Sequence, residues 1–379
     1  MKKLASKHKL NFIDVELQKI KNGNLYRNLR YGIVNGAHIT IKGKKLLNLC
    51  SNDYLGIKST KIKAKQFQSS SRLVSGNDES YKKLEETLAA HKSQQKSLIY
   101  PTGYMANLGS ISSIAKKGDI IFSDELNHAS IIESCRLSNA KIIVYKHNDM
   151  NDLGKKIEQN AKNKFVITEG VFSMDGDFAP LRQITEISEK AKAITIVDDA
   201  HGDFVIGEDG KGTPDYFRVS KKIDLYISSL SKGLGSFGGY AASQKNIIDL
   251  CINRAKSFIY TSALPSIFVE HSLRRIESNR KTQQKKLEKN TKQLSRGLEE
   301  IGYDVNSTTH IIPLIVGDER SAMLLGEFLF KNGIFAQPIR YPTVPHNQAR
   351  LRISVTAWLS STEIEEAVDV FDKAYQKFW

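Results

Sequence analysis

Apolar residues along this chain recur with two periods, and the switches between them mark out the elements. From Tyr81 to His91 the spacing is helical, and Lys96-Ser-Leu-Ile-Tyr that follows is a short apolar run of strand length. The alternation then repeats. Helices are predicted over Gly103 to Ile114 and Ala129 to Ser138, with strands at Asp119-Ile-Ile-Phe-Ser, Lys141-Ile-Ile-Val-Tyr, Lys164-Phe-Val-Ile-Thr, Ile194-Thr-Ile-Val-Asp and Asp224-Leu-Tyr-Ile-Ser. Short apolar strands separated by helices predict an α/β chain whose largely parallel sheet is covered on both faces. Upstream, Asn11-Phe-Ile-Asp-Val-Glu-Leu-Gln-Lys-Ile predicts an amphipathic helix. His38-Ile-Thr-Ile and Lys45-Leu-Leu-Asn-Leu predict two strands around a Lys42-Gly43 turn. Downstream, Pro265 to about Ile301 reads as one long charged helix. The tail reads as α+β, with strands at Ile311-Ile-Pro-Leu-Ile-Val and Arg350-Leu-Arg-Ile-Ser-Val. Its helices run from Arg320 to Asn332 and from Ser361 to Phe378, the second capped at Ser360 or Ser361. The resulting division is an N-terminal helix and arm over 1–38, a large domain over 39–270, and a linking helix with a small C-terminal domain over 271–379.

Composition changes this picture little. At 379 residues the chain is long enough for more than one core, and 40% hydrophobic content is ordinary for a globular protein. Cys50, Cys135 and Cys251 are scattered without a Cys-x-x-Cys pair, which argues against a disulfide framework or a zinc cluster and fits a reducing cytoplasm. The basic N-terminus has no apolar run of a signal peptide, and no stretch has the ~18 apolar residues that a membrane span needs. The formal charge of +15 raises nucleic-acid binding, but its lysines are spread along the chain without basic and aromatic interleaving. A lysine-rich surface, helped by selection for an anionic substrate, accounts for it better. The expectation is therefore a cytoplasmic protein with no nucleic-acid and no membrane partner.

The chemistry gathers where strands end, which is where parallel α/β sheets place their ligands. Lys232 follows the strand at 224 among small residues, Ser228-Ser-Leu-Ser-Lys-Gly. Asp198, Asp199 and His201 end the strand at 194. A lysine amine condenses with an aldehyde, and an aspartate can keep a pyridine nitrogen protonated, so the pair points to pyridoxal 5'-phosphate. Two acids closing an apolar strand need a cation, either a pyridinium or a magnesium ion. Thr102-Gly103-Tyr104 opens a helix, where free N–H groups suit a phosphate, although an ordinary helix start looks the same. Ser229 and Ser231 could add hydroxyls to that phosphate. His128 could lie against the ring; a single histidine is as readily a core or surface residue. No Gly-x-Gly-x-x-Gly follows the first strands, which disfavours a nicotinamide site. The Gly233 and Gly235 pair reads as freeing the chain to approach the cofactor.

Seven segments carry a resemblance: Ser51-Asn-Asp-Tyr-Leu-Gly, Arg72-Leu-Val-Ser-Gly-Asn, Thr102-Gly-Tyr-Met-Ala-Asn, Asn127-His-Ala-Ser, Thr168-Glu-Gly-Val-Phe-Ser-Met-Asp-Gly-Asp, Asp198-Asp-Ala-His-Gly and Ser231-Lys-Gly. From about residue 25 to the C-terminus the chain resembles the α-oxoamine synthases. These are fold-type I pyridoxal-phosphate enzymes that condense an amino acid with an acyl thioester and lose CO2. The tail, Gln337-Pro-Ile-Arg-Tyr-Pro-Thr-Val-Pro then Ala349-Arg-Leu-Arg-Ile-Ser-Val-Thr-Ala, is similar to the biotin-pathway branch, which joins a pimeloyl thioester to L-alanine. Glycine C-acetyltransferase is the rival branch and an aminotransferase a remoter alternative. The resemblance implies a homodimer and these roles. Lys232 carries the cofactor and moves the α-proton, and Asp198 meets the ring nitrogen. His128 stacks on the ring, while Ser173 and His201 reach its phenolic oxygen. Gly103, Tyr104 and Ser229 bind phosphate, with Ser262 reaching the phosphate of the partner subunit. Asn52 and Arg350 hold the amino-acid carboxylate. Arg27 and Thr343 line the acyl side, Arg30 competing for the place of Arg27; the acyl carrier is CoA or a carrier protein. Two departures bear on acyl selectivity. A usually Gly-rich run reads Gln68-Ser-Ser-Ser-Arg-Leu-Val-Ser-Gly, and the stretch between Gly56 and Ser69 is shorter than in the family.

Overall fold

A computed structural model describes residues 9–58, 62 and 69–379. Most of the shortened stretch between Gly56 and Ser69 therefore lies outside the described residues. Seven strands form the central sheet: β4 (Lys96–Tyr100), β5 (Ile120–Asp124), β6 (Lys141–Tyr145), β7 (Lys164–Glu169), β8 (Ile194–Asp198), β9 (Leu225–Ser229) and β10 (Gly239–Ser243), in the order β4-β10-β9-β8-β7-β5-β6. The run from β9 to β6 is parallel, as expected, whereas β10 is antiparallel to both β9 and β4. This tenth strand escaped the sequence reading because Gly239-Tyr-Ala-Ala-Ser has one large side chain and three residues of low strand preference. Both faces of the sheet are buried. Phe165, Ile167, Ile196 and Ile227 pack on one side, and Val166, Val197 and Tyr226 on the other, which is the period of two that a covered strand demands.

The ends of the chain build a second body. Here β1 (Gly32–Asn35), β2 (His38–Ile41) and β3 (Lys44–Asn48) form an antiparallel meander, which continues in parallel through β12 (Ile334–Phe335). Lys42 and Gly43 turn the chain with positive φ, 49° and 78°. Beside it, β11 (Ile311–Gly317), β14 (Ala349–Ser354) and β13 (Pro338–Ile339) make a three-stranded antiparallel sheet. Through β3 the segment 38–48 thus pairs with the C-terminal part of the chain, and the 38/39 boundary falls inside β2, after its first residue. The charged stretch from Pro265 is two helices rather than one, Ser266–Glu277 and Lys281–Ile301, broken at Ser278–Arg280. The last helix, Ser361–Phe378, opens with a full capping box between Ser360 and Glu363. The N-terminal helix Asn11–Asn22 buries no residue. Gly235 stands at φ +61° with its missing Cβ direction 2.2 Å from Asp53 Oδ1, so packing against that carboxylate, rather than room for a cofactor, explains this glycine. Among the described residues no helix is long and apolar enough to cross a membrane.

Candidate active site

Neighbouring strands bring Glu169 and Asp198 side by side, as the last paired residues of β7 and β8. Both are buried. The Asp198 carboxylate is held from two sides: Oδ1 accepts from the Ala200 N–H at 3.0 Å and Oδ2 from Asn107 Nδ2 at 2.6 Å. Asn107 is fixed in turn by Ser130 Oγ at 2.9 Å, which also contacts His128 Nδ1 at 2.8 Å. Burial, reinforced by the Asp198 charge, pushes the Glu169 carboxyl up to about 8. The next aspartate has another task. Asp199 turns away, accepts from Thr213 Oγ1 at 2.7 Å and lies 3.5 Å from the buried Lys92 ammonium. Burial pushes Asp199 up to about 7 despite Lys92. The two acids of the Asp-Asp pair are thus divided by strand alternation, and only the first faces the site.

Lys232 reaches His201, its Nζ 2.7 Å from Nε2. His201 Nδ1 lies 2.6 Å from Tyr54 Oη, which donates to Asn52 Oδ1 at 3.0 Å. With Lys232 donating to Nε2, the imidazole proton sits on Nδ1 and the hydrogen bonds run in one direction from lysine to Asn52. Burial lowers the Lys232 ammonium to about 8, against the pull of Asp198 and Glu169. Burial, followed by the charges of Lys232 and Arg352, holds His201 far below the ordinary histidine range, so it is a neutral relay. His128 is also lowered, by burial and by Lys232, with Asp198 opposing.

Arg352 closes the chain of contacts. Its Nη1 donates to Asn52 Oδ1 at 3.2 Å and Ser354 Oγ at 2.7 Å, its Nη2 to Tyr54 Oη at 3.3 Å, and its Nε to the Ser173 carbonyl. The residue is 8% exposed, and no carboxylate pairs with it among the described residues. The sequence reading placed Arg350 here. The structure instead commits Arg350 to Asp175, Nη1 to Oδ1 at 2.5 Å, and puts Arg352 beside Asn52. Both arginines lie on one face of β14, two residues apart, so sequence spacing alone could not choose between them. Tyr54, Asn107, Glu169 and Arg352 were all missed. All four stood inside quoted segments and lacked only an assigned role.

Other expected residues gather as follows. Gly103 begins the helix Gly103–Ile114, with Thr102 Oγ1 accepting from the Met105 N–H at 3.1 Å. A Cβ on Gly103 would lie 3.0 Å from Ser229 Cβ, and one on Gly239 2.4 Å from the Gly103 nitrogen. Ser229 Oγ meets Ser231 Oγ at 2.8 Å. Glycine backbone, helix start and two hydroxyls form a cradle that fits a phosphate. Tyr104 is partly exposed and meets the His128 ring edge to face at 6.4 Å. Ser173 is buried beside Arg352. A phosphate cradle, a neutral histidine, a buried carboxylate and a lysine of low pKa match what pyridoxal phosphate requires. Away from this group, Ser262 is exposed beside Arg72 and Tyr81. Arg27 is exposed and lies close enough to Arg340 to help burial lower that guanidinium's pKa. Thr343 donates its N–H to the Arg340 carbonyl at 3.0 Å, so Arg27 and Thr343 do share one neighbour. The competing Arg30 stacks over Phe330 and Phe335, at 5.1 and 5.6 Å.

Comparison with known proteins agrees. A family model described as aminotransferase class I and II matches residues 44–371. The 8-amino-7-oxononanoate synthase of Thermoanaerobacter pseudethanolicus is 40% identical, with 98% of each chain covered, and that of Citrifermentans bemidjiense 39%, with 96% and 97% covered. Among solved structures, Sphingomonas wittichii serine palmitoyltransferase superposes with a TM-score of 0.90 at 28% identity over 98% of both chains. The 8-amino-7-oxononanoate synthase of Francisella tularensis gives 0.75 at 26%, over 88% of this chain and 98% of that one. The chain therefore belongs to the class I and II aminotransferase family and, within it, to the 8-amino-7-oxononanoate synthases.

Proposed function

We propose that the protein condenses L-alanine with a pimeloyl thioester, releasing CO2 and the free thiol and giving 8-amino-7-oxononanoate, the ketone used in biotin synthesis. The observation that carries this reading is the unbroken line from Lys232 through His201, Tyr54 and Asn52 to Arg352. It joins a base of suitable pKa to a buried cation with which no carboxylate pairs among the described residues. A buried guanidinium in neutral surroundings is costly until an anion arrives, and its planar fork suits a carboxylate. Alanine held there by Arg352 and Asn52 would present its α-carbon toward Lys232.

Pyridoxal phosphate would be held by Lys232, Asp198, His128 and the Gly103–Ser229 cradle, and it supplies the electron sink for both the C–C bond formation and the loss of CO2. Lys232 takes the α-proton of alanine; a pKa lowered to about 8 leaves roughly a tenth of the amine neutral at pH 7, far more than an ordinary lysine. His201, kept neutral by its burial, accepts from Lys232 and hands the polarity on to Tyr54. The new bond joins the alanine α-carbon to the thioester carbonyl carbon as the C–S bond breaks. The carboxylate departs as CO2, and one proton is delivered to the α-carbon. Ser173 and His201 bind the phenolic oxygen of the cofactor. Arg27 and Thr343 line the acyl side, and the working unit is a homodimer in which Ser262 reaches the partner's phosphate.

The test is thiol release from pimeloyl-, acetyl-, succinyl- and palmitoyl-CoA, each with alanine, glycine and serine. Pimeloyl-CoA with alanine should be fastest. Preference for acetyl-CoA with glycine, or for palmitoyl-CoA with serine, would move the protein to another branch. Consumption of alanine without thiol would make it an aminotransferase.

A further inference from the structure

The loop after β7 is fastened to the small body by more contacts than its own turn requires. Arg352 donates to the Ser173 carbonyl, and Arg350 to the Met174 carbonyl at 3.4 Å and to Asp175 Oδ1 at 2.5 Å. Thr309 Oγ1 donates to the Gly176 carbonyl at 2.7 Å. Gly176 itself stands at φ +69°, where a Cβ would lie 2.1 Å from the Ile311 carbonyl. On the other side, Asp177 Oδ2 meets His147 Nε2 at 2.9 Å and Asn148 Nδ2 at 2.8 Å, while His147 Nδ1 meets Asp124 at 2.9 Å. Residues 173–177 thus lie between the loop after β6 on one side and β11 and β14 on the other.

Arg350 holds the middle of this bridge. Its side chain is 3% exposed, against 30% for Asp175, so the pair sits at the edge of solvent with the arginine inside. Its Nε also donates to the Gln348 carbonyl at 3.1 Å, which fixes the start of its own strand. Two residues further on, Arg352 donates through Nε to the same loop and points its two Nη atoms at Asn52 and Tyr54. A shift of β14 against the loop moves both arginines together, because they share one strand face.

We infer that Arg350 is a positioning residue: its ion pair with Asp175 locks the 173–177 loop to β14 and so sets where the Arg352 fork meets the substrate carboxylate. The inference rests on the reading of Arg352 given above. It departs from the sequence expectation, in which Arg350 touched the substrate itself.

Asp175→Asn and Arg350→Met separate the two. If Arg350 positions, each variant weakens alanine binding to the cofactor-loaded protein, read as a spectral titration, by about 3–10-fold, the range for loss of one hydrogen-bonded contact. The double variant is then no worse than the poorer single one, since both cut the same link. Arg350→Lys, which keeps the charge, recovers part of the loss. Unchanged affinity in Asp175→Asn beside a large loss in Arg350→Met would return Arg350 to the substrate and overturn the inference; so would additive losses. Hydrogen exchange of the 172–178 amides in cofactor-free protein gives a readout independent of catalysis. Faster exchange in Asp175→Asn is expected, and an unchanged rate overturns the lock. A wild-type protein that releases no thiol would defeat the proposed reaction while leaving this exchange result standing.

Discussion

The two halves of the site are built in opposite ways. The cofactor half stands on the ends of adjacent buried strands: Glu169 and Asp198 are register partners, and Ser229 closes β9. Ladder hydrogen bonds fix these side chains relative to one another. The proposed substrate half joins distant parts of the sequence, where Asn52 and Arg352 meet although 300 residues separate them. Its members come from the turn after β3 and from β14, two elements of the second body. Reactive groups are thus placed on neighbouring strand ends, and the proposed recognition groups are joined through the Ser354 N–H to Leu49 carbonyl and Ala357 N–H to Tyr54 carbonyl bonds, 2.8 and 2.7 Å.

Four changes would break or sharpen that contrast. Lys232→Ala, in the cofactor half, should remove turnover together with the visible absorption of bound cofactor. The loss should be at least the ~10²–10⁴-fold that a positioned proton-transfer group supplies. Arg352→Met should raise KM for alanine by roughly 10–150-fold, the equivalent of the ~1.5–3 kcal/mol carried by hydrogen bonds to a charged group. Cofactor affinity should stay unchanged; if it falls equally, the halves are not separable. The third concerns pH. The neutral Lys232 amine is the form that combines with cofactor, and its pKa lies at about 8. Loading of cofactor-free protein should accelerate about tenfold per pH unit below that value and level off above it. A plateau near 10.5, the ordinary lysine value, would show that burial does not act on this amine. Smallest is Tyr54→Phe, which breaks the line between the halves at one hydroxyl. It should cost about 2–10-fold in kcat/KM, as for one neutral hydrogen bond.

The same contrast governs what the sequence revealed. Lys232, Asp198, His201 and His128 were legible because each ends or follows a short apolar run, and a parallel sheet brings strand ends together. Asn52 was found through its segment, but its partner was assigned as Arg350, since alternation puts Arg350 and Arg352 on the same face and only the packing of Asp175 divides them. Asp199 shows the converse: its place beside Asp198 looked chemical, yet Lys92 and Thr213 claim it for structure. The helix break at 278–280 was overlooked because Ser278-Asn279, the turn signal, stands between charged stretches on both sides. β10 was hidden by its glycine and alanines.

Among the described residues, that small strand is also the sheet's only link to β4. β10 runs antiparallel between β4 and β9, so Lys96–Tyr100 gains its neighbour only when Gly239–Ser243 has been made. The helix that begins at Gly103 and the hydroxyl of Ser229 stand on either side of this late arrival. On a ribosome the cradle is incomplete until nearly two thirds of the polypeptide has emerged, and the chain must carry exposed strand edges until then. A chain that stopped short of Gly239 would lack the backbone that packs against the Gly103 nitrogen, and with it one wall of the cradle.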